Sequence, residues 1–322
     1  MGLTVYGGGG KPEEEKTVTA GTSVMEVNPS SGKVMKKVTV NPTPSQEKTI
    51  EDPSETTIII PDEGKLLSKV TINIFNPSLV TWAGGTDKEI VKMVQLADQG
   101  IINLSDYWAV GDTRTVQLSA MSATGVGESH AAQEVDLVLM HAGGYKLADG
   151  STCNFVVGQK DSLAEKGNMN STNTNIGSWD GSARRAWCNN EYKNAMPESL
   201  SPIFKQFKTI TAETYNGTTL KTSLDFFALP AEREVFGAGY GYAGNGYANN
   251  TEAACEDIFQ FEYYQTAANR IKKLGISGSA YGWWERSPYY YDSNRFCIVD
   301  IGGSASRTSA YGTDGLAPFG CI

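Results

Sequence analysis

Histidine is scarce: His130 and His141 are the only two in 322 residues, and neither stands beside a nucleophile motif. An isolated histidine is more often a packed or surface side chain than a catalytic base. No enzymatic activity is therefore expected, and no catalytic residue is assigned. Basic residues are also short, 27 against 36 acidic, which leaves a net charge of −9. An acidic surface repels phosphates and argues against a nucleic-acid partner. No run of about eighteen apolar residues occurs, so no membrane insertion is expected. The N-terminus, Met1 to Tyr6 followed by Gly7 to Gly10, lacks the basic-then-apolar pattern of a secretory signal, and synthesis and folding are expected in a cytoplasm. Cys-x-x-Cys is absent. Cysteines 153, 188, 255, 297 and 321 are scattered and odd in number, which fits buried free thiols better than disulfides or metal ligands. Asp292, Asp300 and Asp314 offer oxygens of the kind calcium takes, but no dense acidic loop surrounds them. Gly239-x-Gly241 and Gly244-x-Gly246 follow no strand-to-helix pattern and make no nucleotide loop. No metal and no cofactor is assigned.

What the chain does have is size, glycine and tyrosine. Apolar residues at 40% and charged residues at 20% mark a globular protein, and the length suits roughly two domains. An internal repeat with a 32-residue offset comes first. Glu15-Lys-Thr-Val18 recurs as Glu47-Lys-Thr-Ile50, and Lys37-Val-Thr-Val-Asn41 recurs as Lys69-Val-Thr-Ile-Asn73. Self-similarity at one fixed offset marks a repeat architecture. Leu66, Val70, Ile72 and Ile74 alternate with Lys69, Thr71 and Asn73, the period of a half-buried strand. Turns are expected at 29–32 and 61–64. One copy has too little apolar surface to fold alone and needs neighbours; a β spacer and a docking site both fit. The reading divides the chain into a flexible Gly-rich lead (1–14), two β repeats (15–78) and one larger domain (79–322).

In the larger domain, Thr86-Asp-Lys-Glu89 is a capping box, and Ile90, Met93, Val94 and Ala97 follow at helical spacing up to Gly100. Residues 106–112, 115–118, 135–140, 209–212 and 225–229 read as strands. Residues 158–178, rich in Asn, Ser, Thr and Gly, read as a long surface loop. Helices are expected over 181–195, from 201 through Phe207, and over 266–274. Residues 237–250 alternate Gly and Tyr and read as an exposed aromatic loop, open to a binding or a subunit-contact role.

The closing stretch 281–322 alternates apolar runs with polar-aromatic segments. Trp283, Trp284 and Arg286, the 296–301 strand and the 316–322 ending read as scaffold, with Arg286 reaching backbone carbonyls or Glu285. Between them lie Tyr289, Tyr290, Tyr291, Asp292, Ser293, Asn294 and Arg295, then Ser304, Ser306, Arg307, Thr308, Ser309, Tyr311, Thr313 and Asp314. Tyrosine gives a large amphipathic surface at low rotamer cost, and Ser, Asn and Asp add adaptable hydrogen bonds. Tyr and Arg are enriched in binding hot spots. These residues form the candidate ligand-binding set. For Tyr289 to Tyr291 an interface position and partial burial both remain open.

The landmarks together carry a resemblance. Gly-Lys-x-x-x-Lys-Val-Thr-(Val/Ile)-Asn resembles the spacer repeats of tail proteins from phages and prophages of Gram-positive bacteria. Tyr-Trp-x-Val-Gly-Asp (107–112), Gly-x-Trp-x-x-Ser-x-x-Arg (177–185), Trp-Trp-x-Arg-Ser-Pro (283–288) and Gly-x-x-Pro-Phe-x-x-Ile (315–322) resemble a tail-associated domain similar to the C-type-lectin-like fold. Ala317-Pro318 departs from the more usual Arg-Pro there. The resemblance implies an α+β chain in which a small all-β repeat region precedes a C-type-lectin-like domain. It implies a phage or prophage tail receptor-binding protein, an adhesin of the virion tail assembled in the host cytoplasm, that recognises a bacterial surface receptor, glycan or protein, during host attachment. The partners it implies are other tail or baseplate subunits and a homo-oligomer, expected to be a homotrimer. The family includes proteins varied by a diversity-generating retroelement, and the Asn, Tyr, Ser, Asp and Thr enrichment is compatible with that. A purely structural baseplate protein and a bacterial surface lectin-like binder are the alternatives. Cys297 and Cys321 resemble the cysteine pair of formylglycine-generating enzymes, without their other catalytic landmarks.

Overall fold

The computed structural model describes residues 75–322 in full and, before them, the backbone of seven strands. The chain is of mixed α and β structure and divides into two compact units, residues 1–80 with 98–102, and residues 81–97 with 103–322. No helix among the described residues is long and apolar enough to cross a membrane.

In the first unit the strands are β1 (Leu3–Val5), β2 (Glu13–Thr19), β3 (Met25–Val27), β4 (Val34–Asn41), β5 (Ser45–Glu51), β6 (Thr57–Ile59) and β7 (Leu66–Asn73). Strands β2 to β4 recur as β5 to β7 at an offset of 32 residues. The pairing recurs too. β2 runs parallel to β4 and β5 parallel to β7, each with a register shift at the same place, Glu14/Glu15 in one and Gln46/Glu47 in the other. β1 lies in the expected flexible lead, yet it forms the middle strand between β3 and β6 and so ties one strand of each repeat into a single sheet. The glycines at 7–10, the turns at 29–32 and 61–64, and the side-chain alternation of 66–74 lie outside the described residues.

Helix α1 (Asp87–Asp98) starts on the expected box: the Thr86 N–H donates to Glu89 Oε2 at 2.7 Å, and Thr86 Oγ1 accepts from the Glu89 N–H. Ile90, Met93 and Val94 are its buried stripe. Then come β8 (Thr113–Leu118), β9 (Gln133–Ala142) and β10 (Phe155–Gln159), helices α2 (Ala183–Trp187) and α3 (Lys193–Ala195) joined by a π turn, and the hairpin β11 (Phe207–Ala212) with β12 (Leu220–Asp225). Short helices α4 (Glu232–Phe236), α5 (Asn250–Ala254) and α6 (Glu262–Gln265) lead to β13 (Lys272–Lys273) and β14 (Ala280–Tyr281). The chain closes with β15 (Trp283–Pro288), β16 (Arg295–Val299), β17 (Ala305–Ser309) and β18 (Phe319–Cys321). Strands β15, β16 and β17 form an antiparallel sheet in that order, and β18 returns to β10 as the edge of a four-stranded sheet, β18-β10-β9-β8.

Six buried tryptophans fill this unit. Trp179 donates its indole N–H to Asp225, Trp187 to the Ser122 carbonyl, Trp283 to the Arg270 carbonyl and Trp284 to the Gly167 carbonyl, so rings that fill the core leave no orphaned donor. All five cysteines are free, and Cys255 alone is not fully buried.

Several expected elements differ. Residues 107–110 form a turn after a short 3-10 helix rather than a strand, because the Tyr107 and Trp108 N–H groups bond back to Leu104. Phe207 starts a strand, and the helix before it is one 3-10 turn, Ser201–Ile203. The strand expected at 225–229 ends at Asp225, whose carboxylate is taken by Trp179, Thr209, Arg185 and Asn189. In place of a helix over 266–274 there is one 3-10 turn, Ala267–Arg270, and then β13. The polar segment 158–178 is not simply a surface loop: Ser162, Met169, Asn170 and Asn175 in it are buried.

Candidate functional site

Two loops meet on one face of the larger unit. Gly237, at φ 87°, ends α4 in a conformation that only glycine adopts without strain and turns the chain into the 237–249 loop. The second loop, 289–294, joins β15 to β16. They pair directly: Ala248 bridges Tyr289, and the Tyr290 N–H donates to the Tyr247 carbonyl at 3.0 Å. The rings gather there. Tyr242 stacks on Tyr290 with centroids 5.0 Å apart and lies 5.8 Å from Tyr291. Tyr247 lies 6.0 Å from Tyr289. Arg307, from edge strand β17, lays its guanidinium over Tyr247 and Tyr289.

Both loops are gripped from beneath by buried polar side chains acting on main-chain atoms. The Asn175 amide donates to the carbonyls of Arg295 (2.7 Å), Asp292 (2.9 Å) and Tyr289 (3.4 Å), and the Asn175 N–H donates to the Ser293 carbonyl (2.7 Å). On the other side Glu232 accepts the N–H groups of Tyr247 (2.9 Å) and Ala248 (2.7 Å). A Cβ on Gly246 would sit 2.5 Å from Glu232 Oε2, so this approach requires glycine. Burial pushes the Glu232 carboxyl up to about 7, against those two backbone donors.

The sheet behind is anchored by Arg286, whose guanidinium meets Glu234 with both terminal nitrogens (2.6 and 2.5 Å) and reaches the Leu229 carbonyl (3.0 Å). Its carboxylate partner is therefore Glu234 rather than Glu285. Neither Glu285 oxygen has a hydrogen-bond partner, and burial among Glu232, Glu252 and Glu234 pushes its carboxyl well above the usual range.

The sequence-derived candidates separate in space. Tyr290, Tyr291 and Arg307 come together; Tyr291 is 68% exposed and Arg307 is exposed. Tyr289 is only 7% exposed, so it is a packing element of the cluster more than a free surface. Asp292 and Arg295 pair loosely (3.6 Å), and Asp292 also accepts the Asn294 N–H. Ser293 and Asn294 hold the loop through their main chain: the Asn294 carbonyl accepts the Ala310 N–H. Ser309 pairs with Arg295 near this end, and Tyr311, 55% exposed, follows it. Ser306 and Thr308 are half-buried along β17. Ser304 lies at the other end of the β16–β17 hairpin, in a turn fixed by Asp300. Thr313 is exposed, whereas Asp314 is half-buried beside Gly282 and backbone-paired to Gly167; burial pushes its carboxyl up to about 6.

Tyr242, Tyr247, Asn175 and Glu232 are the site residues that the ligand-binding set does not contain. The Gly-Tyr alternation of 237–250 signals an exposed aromatic loop, but nothing local signals that it packs on 289–291. A cleft of about 470 Å³, lined by Asn170, Thr172, Thr174, Asp180 and Arg185 among others, opens in the segment that carries Asn175. The platform offers ring faces, phenol hydroxyls and one guanidinium, a set suited to C–H faces, hydroxyls and anionic groups.

A mixed α/β unit with a tyrosine-rich, main-chain-braced loop face is thus the class this chain defines. Residues 154–322, just over half of the chain, match the family described as a domain of unknown function (DUF6273), and the chain belongs to that family. No curated protein and no solved structure matches it.

Proposed function

We propose that this chain is a phage or prophage tail receptor-binding protein whose larger unit, a C-type-lectin-like domain, recognises a bacterial surface ligand through the tyrosine platform. One observation carries the reading: exposed Tyr242 and Tyr291 and half-buried Tyr290 gather on loops whose main chain is already held in place, beside exposed Arg307 of strand β17. Binding groups fixed before contact lose little entropy on contact. Tyrosine faces stack on sugar C–H groups, and the guanidinium suits carboxylate or phosphate on an envelope polymer. The tail assignment rests on the sequence resemblance; the N-terminal repeats would serve attachment to other tail subunits, and a homotrimer would multiply weak contacts by avidity.

The test is sedimentation of the purified full chain with cell-wall preparations from a panel of Gram-positive bacteria, beside a glycan array. Saturable binding to some walls, lost in Tyr290→Ala/Tyr291→Ala and Arg307→Ala chains that still unfold cooperatively, is the expected result. Binding unchanged in those variants would move the receptor face elsewhere, and no binding to any wall or glycan would favour a structural role in a tail or baseplate.

A further inference from the structure

Directly under the platform, Glu232 on α4, Glu285 on β15 and Cys297 on β16 bring a carboxylate oxygen each and a thiol sulfur within 4.8 Å of one another, all of them buried. Glu285 is 0% exposed, and neither of its oxygens has a partner. A carboxylate stripped of water with no donor aimed at it is costly for a fold to hold. The positive charge that acts on it, Arg286, is committed to Glu234. The β15–β16 ladder is irregular between Trp284 and Pro288, the stretch that carries Glu285, and such irregularities re-aim a side chain.

We propose that Glu232, Glu285 and Cys297 form a buried site for a divalent cation of the zinc class. The donor set selects the class. Calcium and magnesium take oxygen ligands alone, whereas zinc accepts thiolate and carboxylate together. One oxygen each of Glu285 and Glu232 and the sulfur of Cys297 supply three protein donors, and a zinc site with three protein ligands completes its four-coordination with water. Tetrahedral zinc holds its ligand atoms about 3.3–3.7 Å apart, so side-chain rotations of about an ångström close the group. Cys297 and Glu285 ligate as thiolate and carboxylate, so any proton either carries leaves to solvent as the metal enters. Glu232 would then serve two ends, the metal below and the Tyr247 and Ala248 N–H groups above.

The test uses the full chain purified with and without added zinc. Elemental analysis is expected to find about one zinc per chain, and chelation is expected to lower the melting temperature by several degrees and speed amide exchange at 246–248. Replacement by cobalt is expected to give a thiolate charge-transfer band that Cys297→Ser abolishes and Cys255→Ser keeps. Glu285→Gln discriminates by sign. It lowers the melting temperature of a metal-bound chain, but raises or leaves unchanged that of a chain whose site holds only protons. Sub-stoichiometric metal in the wild-type chain, with a melting temperature indifferent to zinc and chelator, overturns the proposal whether or not the variants fold.

Discussion

The guanidinium carbon of Arg307 lies 4.7 Å from the centre of the Tyr247 ring. This contact joins an edge strand to a loop some sixty residues earlier in the chain. A cation over an aromatic face at a part-exposed position contributes about 0.5–1 kcal/mol. Arg307→Ala is expected to lower stability by about that much in urea titration while reducing wall binding by a far larger factor. Arg307→Lys, which keeps the charge but loses the planar stack, is expected to fall between in binding.

Tyr291 and Asn175 make a contrasting pair. Tyr291→Ala removes an exposed ring and is expected to change stability by no more than about 0.5 kcal/mol. Asn175→Ala leaves the carbonyls of Tyr289, Asp292 and Arg295 without their shared donor and is expected to cost about 1–3 kcal/mol. Hydrogen exchange over 289–295 checks the distinction: it rises in Asn175→Ala and stays at the wild-type level in Tyr291→Ala.

The Arg286–Glu234 pair has no exposed atoms to speak of. Arg286→Met is expected to destabilise by about 3–5 kcal/mol, because it strands a buried carboxylate. Arg286→Met with Glu234→Leu is expected to recover part of that loss. A double variant as unstable as the sum of the singles would show that each residue acts through other contacts, such as the Leu229 carbonyl or the Tyr145 hydroxyl.

His130 lies 3.3 Å from Glu165, yet burial, and then Arg184, lower its pKa from 6.5 to about 4. The contact is therefore not an ion pair at neutral pH. Below pH 6.5 the unfolded chain takes up this proton before the folded one does. Stability from this group is present above 6.5 and is lost as pH falls towards 4, by up to about 3 kcal/mol. Asp314, raised to about 6 from 3.8, works in the opposite sense, favouring the fold below 3.8 and losing that contribution as pH rises towards 6. Denaturation of wild type and His130→Phe across pH 4–7 separates the two: the variant is expected to lose the acid-side decline that belongs to His130.

Some of this was readable in the residues. The 32-residue recurrence shows directly in the strand bounds because a repeat needs no knowledge of tertiary contacts. Thr86 and Glu89 announce α1 because a capping box is satisfied within four residues. Trp283 and Trp284 read as core by size alone. Asn175 was hidden, since an asparagine among Ser and Thr looks like surface loop until the carbonyls it serves, over a hundred residues later, are brought to it. The acidic cluster was hidden for the same reason: Glu232, Glu252 and Glu285 share one dry space only after three separate segments pack. Tyr107 and Trp108 carry strand-like residue types, but a local 3-10 turn claims their N–H groups first.

Asn175 and Glu232 hold carbonyls and N–H groups, not side chains. A main chain gripped in this way keeps its path whatever residue sits at positions 290, 291 or 293. On the proposed binding role, the face is a frame into which new side chains can be written one at a time, each changing what would be recognised and none changing how the loop is built. A library randomised at those positions should yield mostly folded proteins, and the same property would let a lineage change its target faster than its fold.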